Sequence, residues 1–114
     1  MNGTDLAPGV IVWAMLEPVR GREQGGRRPV LIVASSGYLD AVDSLVNVLP
    51  ITTVDRAWPN HVAVDGPSGL ARASWVMTEQ PRTLSRDRLD GVAGRVSPEC
   101  LRHVRLWLAD FFDL

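Results

Sequence analysis

The 114-residue chain has no lysine, and all 12 of its basic residues are arginine. A guanidinium binds phosphate through a planar, bidentate fork, whereas an ammonium acts as a point charge. The bias would therefore suit a phosphate-binding surface, although codon bias would give the same count. The net charge is only -1. This balance excludes a nucleic-acid binder that relies on overall charge, so such a role would need a local patch.

Cysteine and long apolar runs are also scarce. Cys100 is the single cysteine, which excludes an intrachain disulfide and favours a reducing compartment. It falls on an apolar position of a helix-like run, so we expect it to fill the core. No apolar run approaches the roughly 20 residues that span a bilayer, and no basic segment precedes an apolar stretch at the N-terminus. We therefore expect a cytoplasmic protein that does not contact membranes.

Recognisable metal and nucleotide motifs are missing as well. His61 and His103 lie far apart, with no partners at the spacing of metal ligands. The sequence contains no Walker loop, no GxSxG motif and no paired-cysteine motif. We predict that the protein uses neither a metal ion nor another cofactor.

Short apolar runs, many of them β-branched, dominate what is present. One domain is predicted over residues 8–114, with a flexible N-terminus over residues 1–7. Turn residues bound five predicted strands, which are Val10–Leu16, PVLIVAS, NVLPITT, HVAV and ASWVMTEQ. PVLIVAS is apolar throughout, which predicts a strand buried on both faces. Pro50 in NVLPITT predicts an edge or a bulge.

The clearest helical signal lies at the C-terminus. Ser97 is a good N-cap, Pro98 suits the first helical position, and Glu99 complements the positive end of the helix. A buried stripe is predicted at Leu101, Val104, Leu108 and Phe111. SGYLDAVDSLV is compatible with a short helical turn, and another turn is predicted to begin near Ser85 and close at Gly91. Together these elements predict an α+β, mostly β fold: a small, partly open barrel capped by a C-terminal helix.

A cluster of arginines around two glycines is the strongest functional signal. The stretch RGREQGGRR contains Arg20, Arg22, Arg27 and Arg28. With Glu23 subtracted, this loop carries a local charge of +3 in a chain whose total is -1. Such runs are usually solvated hairpin tips. Arg28, however, adjoins Pro29 and a buried strand, so its backbone should be held in place where it could contact a phosphate.

Weaker candidates lie at the ends of other predicted strands. Thr52 and Thr53 end the third strand and could donate to a phosphate oxygen, although threonines at strand ends mostly cap turns. Glu79 and Gln80 close a later strand, where solvation is the default. Trp58 lies in a loop and could stack on a base, or it could simply pack.

The order of these motifs resembles the MazF/PemK family of toxin endoribonucleases, the mRNA interferases of type II toxin–antitoxin pairs. The resemblance begins at PGVIVWAMLEPVRGREQGGRRPVLIV, which is similar to the family's first strand, loop and second strand. It continues through VLPITT, WPNHVAV, SWVMTEQPRTLSRDRL and GRVSPECL. It therefore covers nearly the whole chain from Pro8 onward.

The resemblance implies a homodimeric, SH3-like barrel that cuts single-stranded RNA at a short preferred sequence. It implies attack by the ribose 2′-hydroxyl without a metal, which leaves a 2′,3′-cyclic phosphate and a 5′-hydroxyl. It also implies inhibition of translation and growth, and neutralisation by a cognate antitoxin. DNA would be reached only indirectly, through that antitoxin.

Residues carry over position by position. Arg28 matches the family's central catalytic arginine, and Thr52 its catalytic threonine. Because an arginine stays protonated, Glu23 is a plausible alternative general base. The residues predicted to bind RNA are Arg20, Arg22, Gln24, Arg27, Thr53, Trp58, Glu79 and Gln80.

Three departures from the family pattern leave alternatives open. Arg22 stands where the family usually has serine, Val10 where it often has aspartate, and Met15 where an acidic residue is common. The arginine could replace a lost hydrogen bond with charge, or shift the sequence preference. Two other functions compete with RNA cleavage: a non-nucleolytic toxin of the same fold that poisons DNA gyrase, and an inert interaction module. Retention of Arg28 and Thr52 argues against the gyrase poison.

Overall fold

The structure of the chain, a computed structural model, describes residues 5–16 and 26–114. These described residues form seven strands and two α-helices. The strands are β1 Val10–Met15, β2 Arg27–Ile32, β3 Leu45–Thr52, β4 His61–Ala63, β5 Trp75–Met77, β6 Arg82–Ser85 and β7 Leu89–Arg95. The helices are α1 Ser36–Ala41 and α2 Pro98–Phe111. The predicted mostly β fold with a C-terminal helix is confirmed.

The strands form one antiparallel sheet in the order β4-β5-β3-β2-β1-β7, with β6 paired to β3. Among the described strands, the sheet does not close into a barrel. β3 lies at its centre because it pairs with β2 on one side and with β6 and then β5 on the other. Pro50 falls between the β3 residues that face β6 and those that face β5. The missing N–H of a proline is tolerated there because the ladder changes partner. Of the two predicted alternatives, an edge or a bulge, the edge is wrong because β3 is paired on both sides.

Both faces of the central sheet are buried, as predicted for PVLIVAS. Residues of alternate parity in β1, β2 and β3 enter two separate clusters, because successive side chains of a strand point to opposite faces. One cluster includes Val30 and Ile32 and is closed by Leu84, Leu89 and α1. The other includes Leu31 and is covered by α2. The sheet is therefore a rigid platform for side chains at its strand ends.

The N-terminal cap of α2 follows from the sequence. The Ser97 hydroxyl accepts from the Cys100 N–H, and Pro98 begins α2, as predicted. Cys100 is buried and Val104 is fully buried. Phe111, which was predicted to be buried, is 44% exposed, and its ring lies against Trp107 at the end of the helix.

The region after β5 differs most from the sequence prediction. Ser85 does cap a short 3-10 turn over Arg86–Arg88. The residues on either side are strands β6 and β7, however, and Gly91 lies inside β7 instead of closing a turn. The N-terminal segment predicted to be flexible lies partly outside the described residues, and Leu6 within it is buried.

Candidate active site

A cleft of about 360 Å³ lies beside the first residues of β2 and the last residues of β3. Side chains that can bind an anion line it: Arg28, Thr52, Thr53, Ser74, Gln80 and Arg82. The described part of its wall contains two guanidinium groups and no carboxylate. The cleft is therefore a local positive site on a protein whose net charge is -1.

Arg28 and Thr52 meet in this cleft because of the register between β2 and β3. Val30 pairs with Pro50, and Ile32 with Val48. The β2–β3 pairing ends at Val30 and Pro50, and Arg28 and Thr52 each lie two residues beyond that end. Both side chains line the cleft, so both can contact one small ligand.

The Thr52 hydroxyl is oriented by its own turn. Its Oγ1 accepts a hydrogen bond from the Val54 N–H at 3.1 Å, so Thr52 does cap the turn after β3. A hydroxyl that accepts in this way still has its own hydrogen to donate. The turn therefore fixes the oxygen while leaving a donor for a ligand in the cleft.

Arg82 and Ser74 are two cleft residues that the sequence analysis missed. Arg82 begins β6 and pairs with Val48 of β3, which places it on the wall of the cleft. Ser74 is buried, and its hydroxyl donates to the carbonyl of Arg72 at 2.9 Å. The sequence does not single out either residue, because each lies in a short segment that joins the cleft only through pairing with β3.

Glu79 does not line the cleft but belongs to a polar network with His61. Nε2 of His61 is 3.0 Å from both carboxylate oxygens of Glu79, and Asn60 donates to Oε1 at 2.9 Å. Burial alone would raise the pKa of Glu79. The hydrogen bonds from His61, its own backbone and Gln80, together with attraction to His61, instead lower its pKa. Both oxygens of this carboxylate are therefore occupied by protein donors.

The other predicted contacts divide between the cleft and its surroundings. Gln80 lines the cleft, and Thr53 lies on its rim. Trp58 packs against the ring of His61, with centroids 4.8 Å apart, and stays 49% exposed. It does not line the cleft, so stacking on a base there would require RNA that extends beyond it.

Arg27 points away from the cleft. Its Nε donates to Oδ2 of Asp90 at 2.9 Å, and its guanidinium lies 4.6 Å from the centre of the Trp13 ring. Adjacent residues of a strand point to opposite faces, so Arg27 does not line the cleft that Arg28 lines, and its predicted contact with RNA stays a prediction. Arg27 ties β2 to β7 and β1, which holds the backbone beside Arg28.

The remaining predicted residues, Arg20, Arg22, Glu23 and Gln24, lie outside the described residues. Their roles stay predictions. Gly26, which follows them, has a φ of +83°, a conformation that glycine adopts freely and that turns the chain into β2.

Reactive thiol and metal chemistry receive no support from residues 5–16 and 26–114. No group of three or more His, Cys, Asp or Glu side chains comes together there as a metal site. Burial raises the pKa of the Cys100 thiol, whose Sγ lies 3.5 Å from the carbonyl oxygen of Ala63. A protonated, buried thiol is a poor nucleophile, as expected of a core residue. None of the described helices is long and apolar enough to cross a membrane.

Comparison with known proteins identifies the family. Residues 7–112 match the family described as the PemK-like, MazF-like toxin of type II toxin–antitoxin systems. The chain belongs to this family. One member of the family is the endoribonuclease EndoA of Bacillus subtilis, to which this chain is 35% identical over 83 residues. The match covers 71% of this chain and 72% of EndoA. It is 33% identical over 101 residues to the endoribonuclease PemK of Escherichia coli, covering 86% and 74%.

The fold of this chain is also similar to solved MazF structures. MazF from Deinococcus radiodurans superposes with a TM-score of 0.78 at 26% identity, covering 96% of this chain and 97% of that one. The toxin MazF-mt6 of Mycobacterium tuberculosis gives a TM-score of 0.76 at 27% identity, covering 92% and 97%. A MazE–MazF complex from D. radiodurans gives 0.79 at 27% identity, covering 96% and 97%.

Proposed function

We propose that this protein is a toxin endoribonuclease that cuts single-stranded RNA at a short preferred sequence, and so inhibits translation and growth. The observation that carries the proposal is the meeting of Arg28 and Thr52 in one positively charged cleft. The curated relatives EndoA and PemK are named endoribonucleases, which supports the same activity here.

The cleft suits attack by the ribose 2′-hydroxyl on the adjacent phosphate. As the new P–O bond forms, negative charge gathers on the phosphoryl oxygens, and donors fixed in advance stabilise it best. Arg28 supplies a planar guanidinium for that charge, and Thr52 donates its hydroxyl to the same group. The bond to the 5′-oxygen then breaks, which gives a 2′,3′-cyclic phosphate and a 5′-hydroxyl. These charges are met by protein groups, so no metal is required.

Two proton transfers complete the reaction. The 2′-hydroxyl must lose a proton, and the departing 5′-oxygen must gain one. An arginine stays protonated and so suits the stabilising role better than that of base. The described wall of the cleft carries no carboxylate. Glu23 of the arginine loop is therefore the proposed general base.

An antitoxin and a second copy of the chain are the proposed protein partners. The D. radiodurans complex pairs a MazF with MazE, which supports an antitoxin here. A positive cleft favours an acidic antitoxin segment with a few apolar anchors. A homodimer would join two clefts into one continuous RNA-binding surface. The protein would contact DNA only through the antitoxin. The proposed location is the cytoplasm.

Labelled single-stranded RNA incubated with the protein in EDTA tests the activity. Discrete fragments ending in a 2′,3′-cyclic phosphate are expected. Intact RNA with inhibited DNA gyrase would favour the non-nucleolytic toxin instead. Intact RNA with unaffected gyrase would leave an interaction module.

A further inference from the structure

The orientation of the Gln80 side-chain amide decides which kind of group the cleft can recognise. A glutamine amide has two N–H donors on Nε2 and an acceptor at Oε1. Nε2 of Gln80 lies 3.3 Å from Oε2 of Glu79 and 3.7 Å from Sδ of Met77. An ionised carboxylate can only accept hydrogen bonds. Glu79 therefore requires the nitrogen, and not the oxygen, of the amide to face it.

Glu79 can impose this orientation because it is itself held in place. Nε2 of His61 contacts both of its oxygens, and Asn60 donates to one of them. The His61 side chain is only 2% exposed, so it cannot move without disturbing the core. Thr78 fixes Asn60 in turn by donating to its backbone carbonyl at 2.7 Å. The network therefore holds the Glu79 carboxylate in place beside Gln80.

With Nε2 turned towards Glu79 and Met77, Oε1 is the atom of Gln80 that a ligand in the cleft would meet. We infer that Glu79 is a positioning residue which orients Gln80, and that Oε1 of Gln80 accepts a hydrogen bond from an N–H group of an RNA base. This inference rests on the proposed function, because the base belongs to the RNA that is cut. The group recognised is the exocyclic amine of adenine, cytosine or guanine, or the ring N–H of uracil.

The role is in sequence preference and not in bond cleavage. A base that presents only an acceptor at this point would leave Oε1 facing another oxygen, which disfavours binding. One neutral hydrogen bond changes affinity by about two- to tenfold. Glu79→Gln removes the constraint, since a neutral amide at residue 79 can pair with either end of Gln80.

The test uses a set of cleavable RNAs in which one base at a time is replaced by an analogue that lacks one donor group, either the exocyclic amine or the ring N–H. Purine riboside replaces adenosine, inosine replaces guanosine, pyrimidin-2-one riboside replaces cytidine, and N3-methyluridine replaces uridine. For the wild-type protein, one replacement should lower kcat/KM by about two- to tenfold. In Gln80→Ala and Glu79→Gln the same replacement should cost little, because the paired acceptor is lost or free to turn. Asn47→Ala is the matched control, since this amide bonds Thr83 away from the cleft. Its penalty should equal that of the wild type.

A second readout needs no variant. In the wild-type protein, the NMR signals of the Gln80 side-chain amide should shift with the titration of Glu79. Signals that stay unchanged would refute the positioning role. Equal analogue penalties in the wild type and in Gln80→Ala, with cleavage intact, would refute the base contact alone. A wild-type protein that cuts none of the RNAs would refute the proposed function as well.

Discussion

Replacing Arg28 is the sharpest perturbation of the proposed chemistry. Arg28→Ala removes one of two guanidinium groups on the described wall of the cleft and leaves Thr52 in place. Loss of one fixed donor to developing charge costs about 3–4 kcal/mol, or a hundred- to a thousand-fold in rate. Arg28 is exposed and Arg82 shares the cleft, so partial compensation is available. We therefore expect the lower end, about a hundred-fold.

The assay is single-turnover cleavage of labelled RNA at low salt, with protein in excess. Arg28→Lys keeps the charge but not the planar fork, so its rate should fall between those of the wild type and Arg28→Ala. Arg102→Ala is the charge-matched control, because Arg102 lies exposed on α2, outside the cleft. It should cleave at close to the wild-type rate.

The fold should survive the substitution. Arg28 is exposed at the end of β2, away from both buried clusters. Circular dichroism and the unfolding midpoint should therefore match those of the wild type. A folded Arg28→Ala protein that cleaves within about threefold of the wild type would refute the proposed role of the guanidinium, whose loss should cost far more.

Three further predictions concern other groups. Thr52→Val should lower the cleavage rate by about two- to tenfold, while Thr52→Ser should restore it, because serine keeps both the hydroxyl donor and the oxygen that accepts from the Val54 N–H. The pKa of Glu79 in the folded protein lies below its ordinary value of 4.5. The ionised carboxylate therefore stabilises the fold at pH values above 4.5, and this contribution to the free energy of unfolding is lost as the pH falls through the folded-state pKa. Urea unfolding should then show a steeper acid loss for the wild type than for Glu79→Gln, and equal slopes would contradict this. Cys100 should resist alkylation in the folded protein and react once it is unfolded, since burial raises its pKa. Rapid alkylation of Cys100 in the native protein, measured by mass spectrometry, would contradict this prediction.

The elements that the sequence predicted well have strong local signals. PVLIVAS is apolar throughout, and the Ser97 cap followed by Pro98 marks the start of α2. Strands β6 and β7, which the sequence analysis did not predict, lack such signals. β6 and β7 carry arginine, aspartate and glycine, and much of β7 is exposed, so apolar alternation is interrupted. Their strand geometry comes from pairing with β3 and β1, which no short stretch encodes.

The candidate site was predicted in part, for a similar reason. Family resemblance singled out Arg28 and Thr52, but their meeting depends on the register of β2 against β3. Alternation along β2 could have separated Arg27 from Arg28. Arg82, by contrast, joins the cleft through long-range pairing, which a single sequence does not reveal.

The central claim is that the RNA's own 2′-hydroxyl is the nucleophile and that protein groups supply the rest. The most direct measurement uses an RNA with one 2′-deoxyribose on the 5′ side of the cut, incubated beside the all-ribose RNA in EDTA. We expect the all-ribose RNA to be cut to a 2′,3′-cyclic phosphate and a 5′-hydroxyl, and the substituted RNA to stay intact at that position. Cleavage of the substituted RNA at the same position would show that water is the nucleophile, and would contradict the mechanism.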